Sequence, residues 1–345
     1  MSERRSGGQY AAAGVDLAGA ETAKERIGRL VAGTRTALSL GDIGAFGGMV
    51  RVPAGMREPI LVLSTDGVGT KVIVALQAGR LDTVGEDLVN HSVNDILVHA
   101  AHPIAFMDYV AGAGLSVERI GAIVEGIARG CRAHGIALAG GETAQMPGLY
   151  REGTFDLAGT IVGVVEKAEA LHGDRIVPGD LLLGYASTGL HTNGYSLARR
   201  IVFEQMRLGL DDRLGDTGQG VAEALLAIHR SYLRSVNPVL AQVHGLAHIT
   251  GGGIGGNLVR ILPTGVEATV DPNSWTWPPL FRVLQQAGGV SVEEMRDVFN
   301  LGVGLVAVLP PEAVAAAQAA AAADGVATWI MGDVRRGSRA VRFAQ

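Results

Sequence analysis

The chain has 345 residues, enough for two domains, and with 48% hydrophobic residues and a positive mean hydropathy it can form a sizeable core. Its net charge of −5, with no basic block, argues against nucleic acid as the main partner, and no apolar run reaches the roughly 18 residues of a membrane span. One cysteine, Cys131, excludes an internal disulfide framework and fits a reducing, cytoplasmic compartment; the start, MSERRSGGQY, lacks the apolar segment of a signal peptide.

Residues 1–58 read as irregular, with a helix near 20–30 and a glycine-rich stretch, Gly41 to Met49, that is either a mobile loop or a surface linker. An ordered block follows: strand 60–64, helices 70–79 and 83–99, strand 104–110, helix 117–134, and strands 136–140 and 157–165. Asp82 is placed as the cap of the second helix. A polar, turn-forming boundary at 166–180 separates it from a second block. There strands fall at 181–186, 246–250, 266–270, 302–308 and 326–331. Helices fall at 195–208, 218–229, 231–243, 255–261, 279–286, 291–297 and 311–323. Strands and helices do not alternate regularly, so the fold class is α+β, with mixed α/β layers in two domains, 1–170 and 171–345.

The stretch Ser64 to Lys71, STDGVGTK, organises the first block. An apolar strand meets a turn whose Gly67 and Gly69 present bare N–H groups suited to phosphate oxygens. Asp66 offers the hard oxygen that Mg²⁺ prefers, and Thr70 and Lys71 add a hydroxyl and a charge. A plain strand–turn–helix link with a surface aspartate explains the same residues. Two further acids, Asp95 in VND and Glu142 in AGGETAQMPG, stand beside asparagine or glycine, and three such carboxylates can converge on one or two Mg²⁺ ions. Glu142 and Asp66 are expected at strand ends of one sheet. Asp87, His91 and Asp95 share a helix face, with a solvated polar face as the ordinary explanation. His91, His99 and His102 lack any zinc-site spacing. In STGLHTNGYS, Ser187 to Ser196, His191 is an acid, a base, a phosphate donor or a structural hydrogen bonder. GGGIGG, Gly251 to Gly256, imitates a dinucleotide fingerprint, but the acid expected about 20 residues later is missing.

Taken together, YAAAGVD (Tyr10–Asp16), STDGVGTK, DTVGEDLV and SVNDILV, GGETAQMPGLY, STGLHTNGYSL, HITGGGIGGNLVRILP and FNLGVG resemble the phosphoribosylformylglycinamidine cyclo-ligase family over nearly the whole chain. The resemblance implies two α/β domains and a homodimer that joins strands of its N-terminal domains into a barrel-like core, here through residues 60–165. It also implies ATP and Mg²⁺ as cofactors and formylglycinamidine ribonucleotide as the substrate of a purine-biosynthetic ring closure. By residue type and motif position, Asp66, Lys71, Asp95 and His191 form the expected catalytic set. Asp66, Asp95 and Glu142 would hold the metal, and Gly67, Gly69, Thr70, Asn94, Gly141 and Glu142 the nucleotide. Thr188, Gly189, Asn193 and Ser196 would bind substrate. The family pattern differs at Ala11, Ala12, His91, His102 and Gln145, which leaves the three acids, Lys71 and His191 intact. Of related families sharing this architecture, selenophosphate synthetase has a reactive Cys or selenocysteine near its N-terminus, and thiamine-monophosphate kinase lacks the GGETAEMPG-type signature.

Overall fold

The computed structural model describes residues 17–41 and 47–344. Tyr10 to Asp16, with Ala11 and Ala12, and most of the glycine-rich stretch after Gly41 lie outside the described residues. The chain divides into two compact units. One holds residues up to 56 with 63–92 and 103–164; the other holds 57–62, 93–102 and everything from 165 onward.

The first unit begins with α1 (Leu17–Ala32) and a short hairpin, β1 (Ser39–Leu40) and β2 (Met49–Val50), which the glycine content of that region hides at the sequence level. Its sheet has the order β3-β6-β4-β5, formed by β3 (Pro59–Gly67), β4 (His102–Gly112), β5 (Ala137–Gln145) and β6 (Phe155–Glu166). Helices α2 (Lys71–Ala78), α3 (Leu81–Leu97) and α4 (Val117–His134) connect the strands. β4, α4 and β5 form a parallel crossover unit. α4 shows why its sequence folds as it does. Ser116 caps its start by accepting the Arg119 N–H, and Gly135 ends it in the left-handed region. Between them Ile120, Ile123, Val124, Ile127 and Cys131 recur at helical spacing and are all buried.

Cys131 is fully buried, and burial pushes its thiol well above the ordinary range, so it packs as a small hydrophobe. Cys131→Ala is expected to keep turnover within several-fold. Loss of all activity in a folded variant, checked by circular dichroism, would reopen a thiol mechanism.

Two element bounds move candidate residues. β5 runs on to Gln145, so Glu142 lies inside a strand and not at its end. α3 opens at Leu81, which places Asp82 in its first turn and not at its cap. The polar face of α3 is also not solvated. Asp87 is fully buried against Lys71, and His91 is 3% exposed.

The second unit is built on a six-stranded sheet with the order β12-β9-β11-β7-β10-β8. The strands are β7 (Leu181–Ala186), β8 (Gly245–His248), β9 (Val266–Val270), β10 (Val303–Leu309), β11 (Thr328–Arg336) and β12 (Ala340–Phe343). All pairings are antiparallel except β12 with β9. β10, VGLVAVL, is a central strand flanked by β7 and β8 and is buried at every position, which explains its unbroken apolar run. Its core includes Leu182, Ile249, Ile254, Leu258, Val306, Val308 and Met331. Burial of each such side chain contributes about 1.5–3 kcal/mol.

Three helices are shorter than periodicity predicts. The 195–208 pattern is α5 (Tyr195–Arg199) continuing as a π-helical stretch, Arg200–Gln205. The 218–229 pattern yields only α6 (Val221–Leu225), and 231–243 yields α7 (Leu233–Val236) followed by a 3-10 stretch, Asn237–Gln242. The early end of α6 leaves residues 226–232 irregular. Two of their backbone carbonyls are taken by side chains: Thr188 Oγ1 donates to Ile228 O at 2.5 Å and Asn94 Nδ2 to Arg230 O at 2.8 Å. The remaining helices are α8 (Gly253–Ile261), α9 (Pro279–Gly288), α10 (Val292–Val298) and α11 (Val314–Ala323).

The glycine turn before α8 is architectural. A Cβ on Gly253 would fall 1.7 Å from the carbonyl oxygen of Arg296, so only glycine lets α8 approach α10 this closely. Asn257 ties the turn together, donating to the carbonyls of Thr250, Gly251 and Gly253 at 3.3, 3.2 and 2.8 Å. β8 pairs antiparallel with β10, so no parallel βαβ nucleotide fold surrounds the motif.

Candidate active site

In the first unit, Asp66 is the penultimate residue of β3 and its side chain is 46% exposed. Its Oδ1 accepts the Gly67 N–H at 2.6 Å, and its Oδ2 lies 2.7 Å from His91 Nε2. Gly69 takes a φ of +63°, which turns the chain into α2, and Thr70 precedes that helix without a side-chain capping bond. Lys71 departs from expectation. Its Nζ does not face the open turn but is fully buried, 2.7 Å from Asp87 Oδ2. Burial pushes its pKa down, and the Asp87 carboxylate opposes that shift.

Gly141 and Glu142 lie on the exposed side of β5 and line a cavity of about 1240 Å³ with Thr65, Asp108, Tyr109 and Thr160. Strand order sets a limit on the three expected metal ligands. β3 and β5 are opposite edges of the sheet with two strands between them. At about 4.8 Å per strand the separation is roughly 14 Å. Asp66 and Glu142 of one sheet therefore do not share an ion, contrary to the expected convergence. Each still offers exposed carboxylate oxygen, the donor that Mg²⁺ takes.

Asp108, on β4, is a group that no motif reveals. Burial in the cavity wall pushes its carboxyl up to about 7, with a backbone hydrogen bond opposing. The native state then holds a proton that the unfolded chain, with its carboxyl near 3.9, releases. The stability tied to this proton is present at acid pH and is lost as pH rises through about 7. Asp108→Asn should flatten the stability profile between about pH 4 and 7 and raise stability above that window. Urea melts at both ends check this, and an unchanged pH slope counts against it.

In the second unit, Asn94 is buried and all three of its contacts go to protein. Its Nδ2 donates to Arg230 O, the same nitrogen lies 3.2 Å from His229 Nε2, and its Oδ1 accepts the Tyr232 N–H at 2.9 Å. This amide fixes the irregular segment after α6 and has no open side for a nucleotide. Asp95 in the last turn of α3 is 21% exposed and holds His248 Nδ1 at 2.8 Å.

The turn after β7 brings the expected substrate residues to one place. Thr188 N–H donates to His191 Nε2 at 3.3 Å. Gly189 O accepts from Asn300 Nδ2 at 2.8 Å and from Ser187 Oγ at 3.0 Å. Asn193 is half-buried and packs toward Gly251 of the glycine turn, and Ser196 is exposed on α5. His191 is buried at a φ of +61°, a strained value for a residue with a Cβ, and stacks on His229 with centroids 4.0 Å apart. His229 in turn lies 3.1 Å from His248, Nε2 to Nε2. Sequence reading passed over His229 and His248. They sit 19 positions apart in unrelated segments, and only folding joins them to His191. Of the three histidines weighed for zinc, His99 and His102 are exposed and neither joins this cluster, and His91 is buried against Asp66.

Two family models match the chain, and segments 57–62 and 93–102 fall within the first match although they pack in the second unit. Residues 47–165 match the family model "AIR synthase related protein, N-terminal domain", and residues 177–344 match the corresponding C-terminal domain. Among solved structures, thiamine-monophosphate kinase from Stenotrophomonas maltophilia K279a superposes with a TM-score of 0.69 at 20% identity, covering 91% of this chain and 94% of that one. The hydrogenase maturation protein HypE in complex with ATP gives 0.63 at 19% identity, covering 91% and 88%. At such identities these likenesses establish the fold. Curated relatives reach much further. The phosphoribosylformylglycinamidine cyclo-ligase of Sorangium cellulosum is 49% identical over 329 residues, 94% of either chain. That of Thermosynechococcus vestitus is 46% identical over 332 residues, 95% of this chain and 97% of its own. The chain belongs to the phosphoribosylformylglycinamidine cyclo-ligase family.

Proposed function

We propose that the chain closes formylglycinamidine ribonucleotide to 5-aminoimidazole ribonucleotide with ATP, releasing ADP and phosphate, in de novo purine biosynthesis. The observation that carries this reading is the 49% identity to a cyclo-ligase along 94% of both chains. The formyl oxygen is a poor leaving group until it receives the γ-phosphoryl group. The ribose-bearing amidine nitrogen then bonds to the formyl carbon, the carbon–oxygen bond breaks, phosphate carries the oxygen away, and the nitrogen loses a proton. Such chemistry needs alignment and charge neutralisation more than covalent help.

Residues 1–170 form the nucleotide half in this reading and 171–345 the second domain. Gly67, Gly69 and Thr70 offer N–H and hydroxyl groups to phosphate oxygens. The exposed carboxylates of Asp66 and Glu142 are the oxygen donors for Mg²⁺, each for its own ion within one sheet, with Asp95 as the third acid. Bound Mg²⁺ would supply neutralisation of the charge that builds on the transferring phosphoryl group. Thr188, Gly189, Asn193 and Ser196 hold the substrate, and His191 takes the nitrogen's proton or binds the substrate phosphate. Lys71 supports this half through Asp87 and not by contact with phosphate.

The protein works as a homodimer in the cytoplasm. The first unit's sheet leaves Leu63, Met107 and Tyr109 exposed by 62%, 38% and 40%, and among the described residues no strand pairs with the outer side of either sheet edge, β3 or β5. A second copy covers such a surface well. Sedimentation at micromolar concentration should give a dimer; a monomer in an active preparation would sink it. No described helix is long and apolar enough to cross a membrane.

The test of the reaction itself is incubation of the purified protein with formylglycinamidine ribonucleotide, ATP and Mg²⁺. One aminoimidazole product should form for each ADP. ADP release without ring product, or no turnover at all, would overturn the reading.

A further inference from the structure

We propose that His191, His229 and His248 form a binding site for one first-row divalent transition metal of the Zn²⁺ class. One ring nitrogen from each lies within 4.8 Å of the others, and the three residues are 1%, 0% and 6% exposed. The Nε2 atoms of His229 and His248 are 3.1 Å apart. A tetrahedral zinc with bonds of about 2.0–2.1 Å to nitrogen needs ligand nitrogens roughly 3.3 Å apart, so this pair already has the spacing. The separations that involve His191, at most 4.8 Å, must shorten for a third bond, which requires its ring to shift from the stack on His229 and the Thr188 N–H.

The surroundings hold these rings as metal sites hold theirs. His248 turns Nδ1 to Asp95 Oδ1 at 2.8 Å, and His229 turns Nδ1 to Thr192 Oγ1 at 3.3 Å. Both therefore point Nε2 inward, and the carboxylate supplies outer-shell negative charge, the carboxylate–histidine–metal arrangement. The backbone makes room for the third ring. Gly304 sits at a bulge in β10, and a Cβ there would fall 2.5 Å from His191 Cε1 and 1.9 Å from the Tyr232 hydroxyl. The Asn94 amide, 3.2 Å from His229 Nε2, gives up that contact to the metal and keeps its shorter bond to Arg230 O.

Three imidazoles with a fourth position left for water suit Zn²⁺, Co²⁺, Ni²⁺ or Cu²⁺. Mg²⁺ prefers oxygen donors, so three imidazoles select against it, although Asp95, which backs His248 here, is also the third acid of the proposed Mg²⁺ set. The site stands whether or not the chain closes the imidazole ring, because its readout is metal binding.

The experiment uses the full chain, stripped with a chelator and dialysed, titrated with Co²⁺ and then Zn²⁺ in buffer with excess Mg²⁺. The expected result is one equivalent per chain, with the visible d–d absorption of four-coordinate Co²⁺ bleached as Zn²⁺ displaces it. His229→Gln should abolish the band, and Asp95→Asn, which acts on His248 from outside, should weaken affinity about 10–100-fold. Absence of the band in the unaltered protein would overturn the proposal, as would unchanged binding in folded His229→Gln, which would mark surface histidines as the ligands. If His229→Gln does not fold, Asp95→Asn decides: unchanged affinity overturns the site.

Discussion

Asp66→Asn is expected to lower kcat by about 10²-fold or more, about 2.7 kcal/mol of transition-state stabilisation, with little change in KM for the nucleotide substrate. The carboxylate is 46% exposed at the end of β3, beside a turn rich in N–H groups. Asparagine keeps its shape and still accepts the Gly67 N–H but carries no charge for a metal ion. Sequence reasoning adds that stability should rise, because Asp66 would no longer repel Asp95 and Glu142. The strand order removes the Glu142 part of that expectation. Glu142 is on the far edge of the sheet, roughly 14 Å away. That exceeds the screening length of about 8–10 Å in ordinary salt. The near neighbour is His91 Nε2 at 2.7 Å, which the charge favours when protonated. The melting temperature of the apo variant should therefore stay level or fall slightly. Steady-state kinetics across a Mg²⁺ titration, with thermal melts, provides the check. Near-normal kcat at ordinary Mg²⁺ would leave Asp66 with a structural role only.

Lys71→Met is expected to cost about 3–5 kcal/mol of folding stability, because it strands the Asp87 carboxylate in the protein interior. Both side chains are 0% exposed and their charged atoms are 2.7 Å apart. The double variant Lys71→Met, Asp87→Leu removes both charges and should recover most of the loss, since a buried pair replaced by apolar groups of similar size is often near neutral. Urea unfolding of both singles and the double gives the coupling. A single-variant loss below about 1 kcal/mol, the range of exposed pairs, would contradict the geometry. Turnover separates the two views of this lysine. If it touches phosphate, the stable double variant stays as slow as the single; if it only braces α2 against α3, turnover returns with stability.

Much of the site was readable before folding was considered. Strand–glycine–helix punctuation located the turns around Asp66 and His191, because glycines at tight turns and apolar runs of strand length are local signals. The alanine helix α11, the capped helix α4 and the fully apolar β10 were readable for the same reason. Boundaries failed where tertiary contacts overrule propensity. Strand β5 extends through Gly140 and Gly141 to Gln145 because β4 pairs with it along that length. Helix α6 stops early where the side chains of Thr188 and Asn94 claim the carbonyls of Ile228 and Arg230 beyond it.

The sequence alone determined the α+β class, the family, and where the glycine turns beside Asp66 and His191 fall, since these depend on residue type and on neighbours close along the chain. Only the tertiary structure decided which of those residues can act together. Strand order set Asp66 and Glu142 on opposite sheet edges, and burial paired Lys71 with Asp87 and Asn94 with the segment after α6. The same folding gathered His191, His229 and His248 from three distant segments. The physical reason is that distance and solvation are properties of packing. A carboxylate, an ammonium or an imidazole acquires its role from what lies within a few ångströms of it, and the linear order of residues does not contain that information.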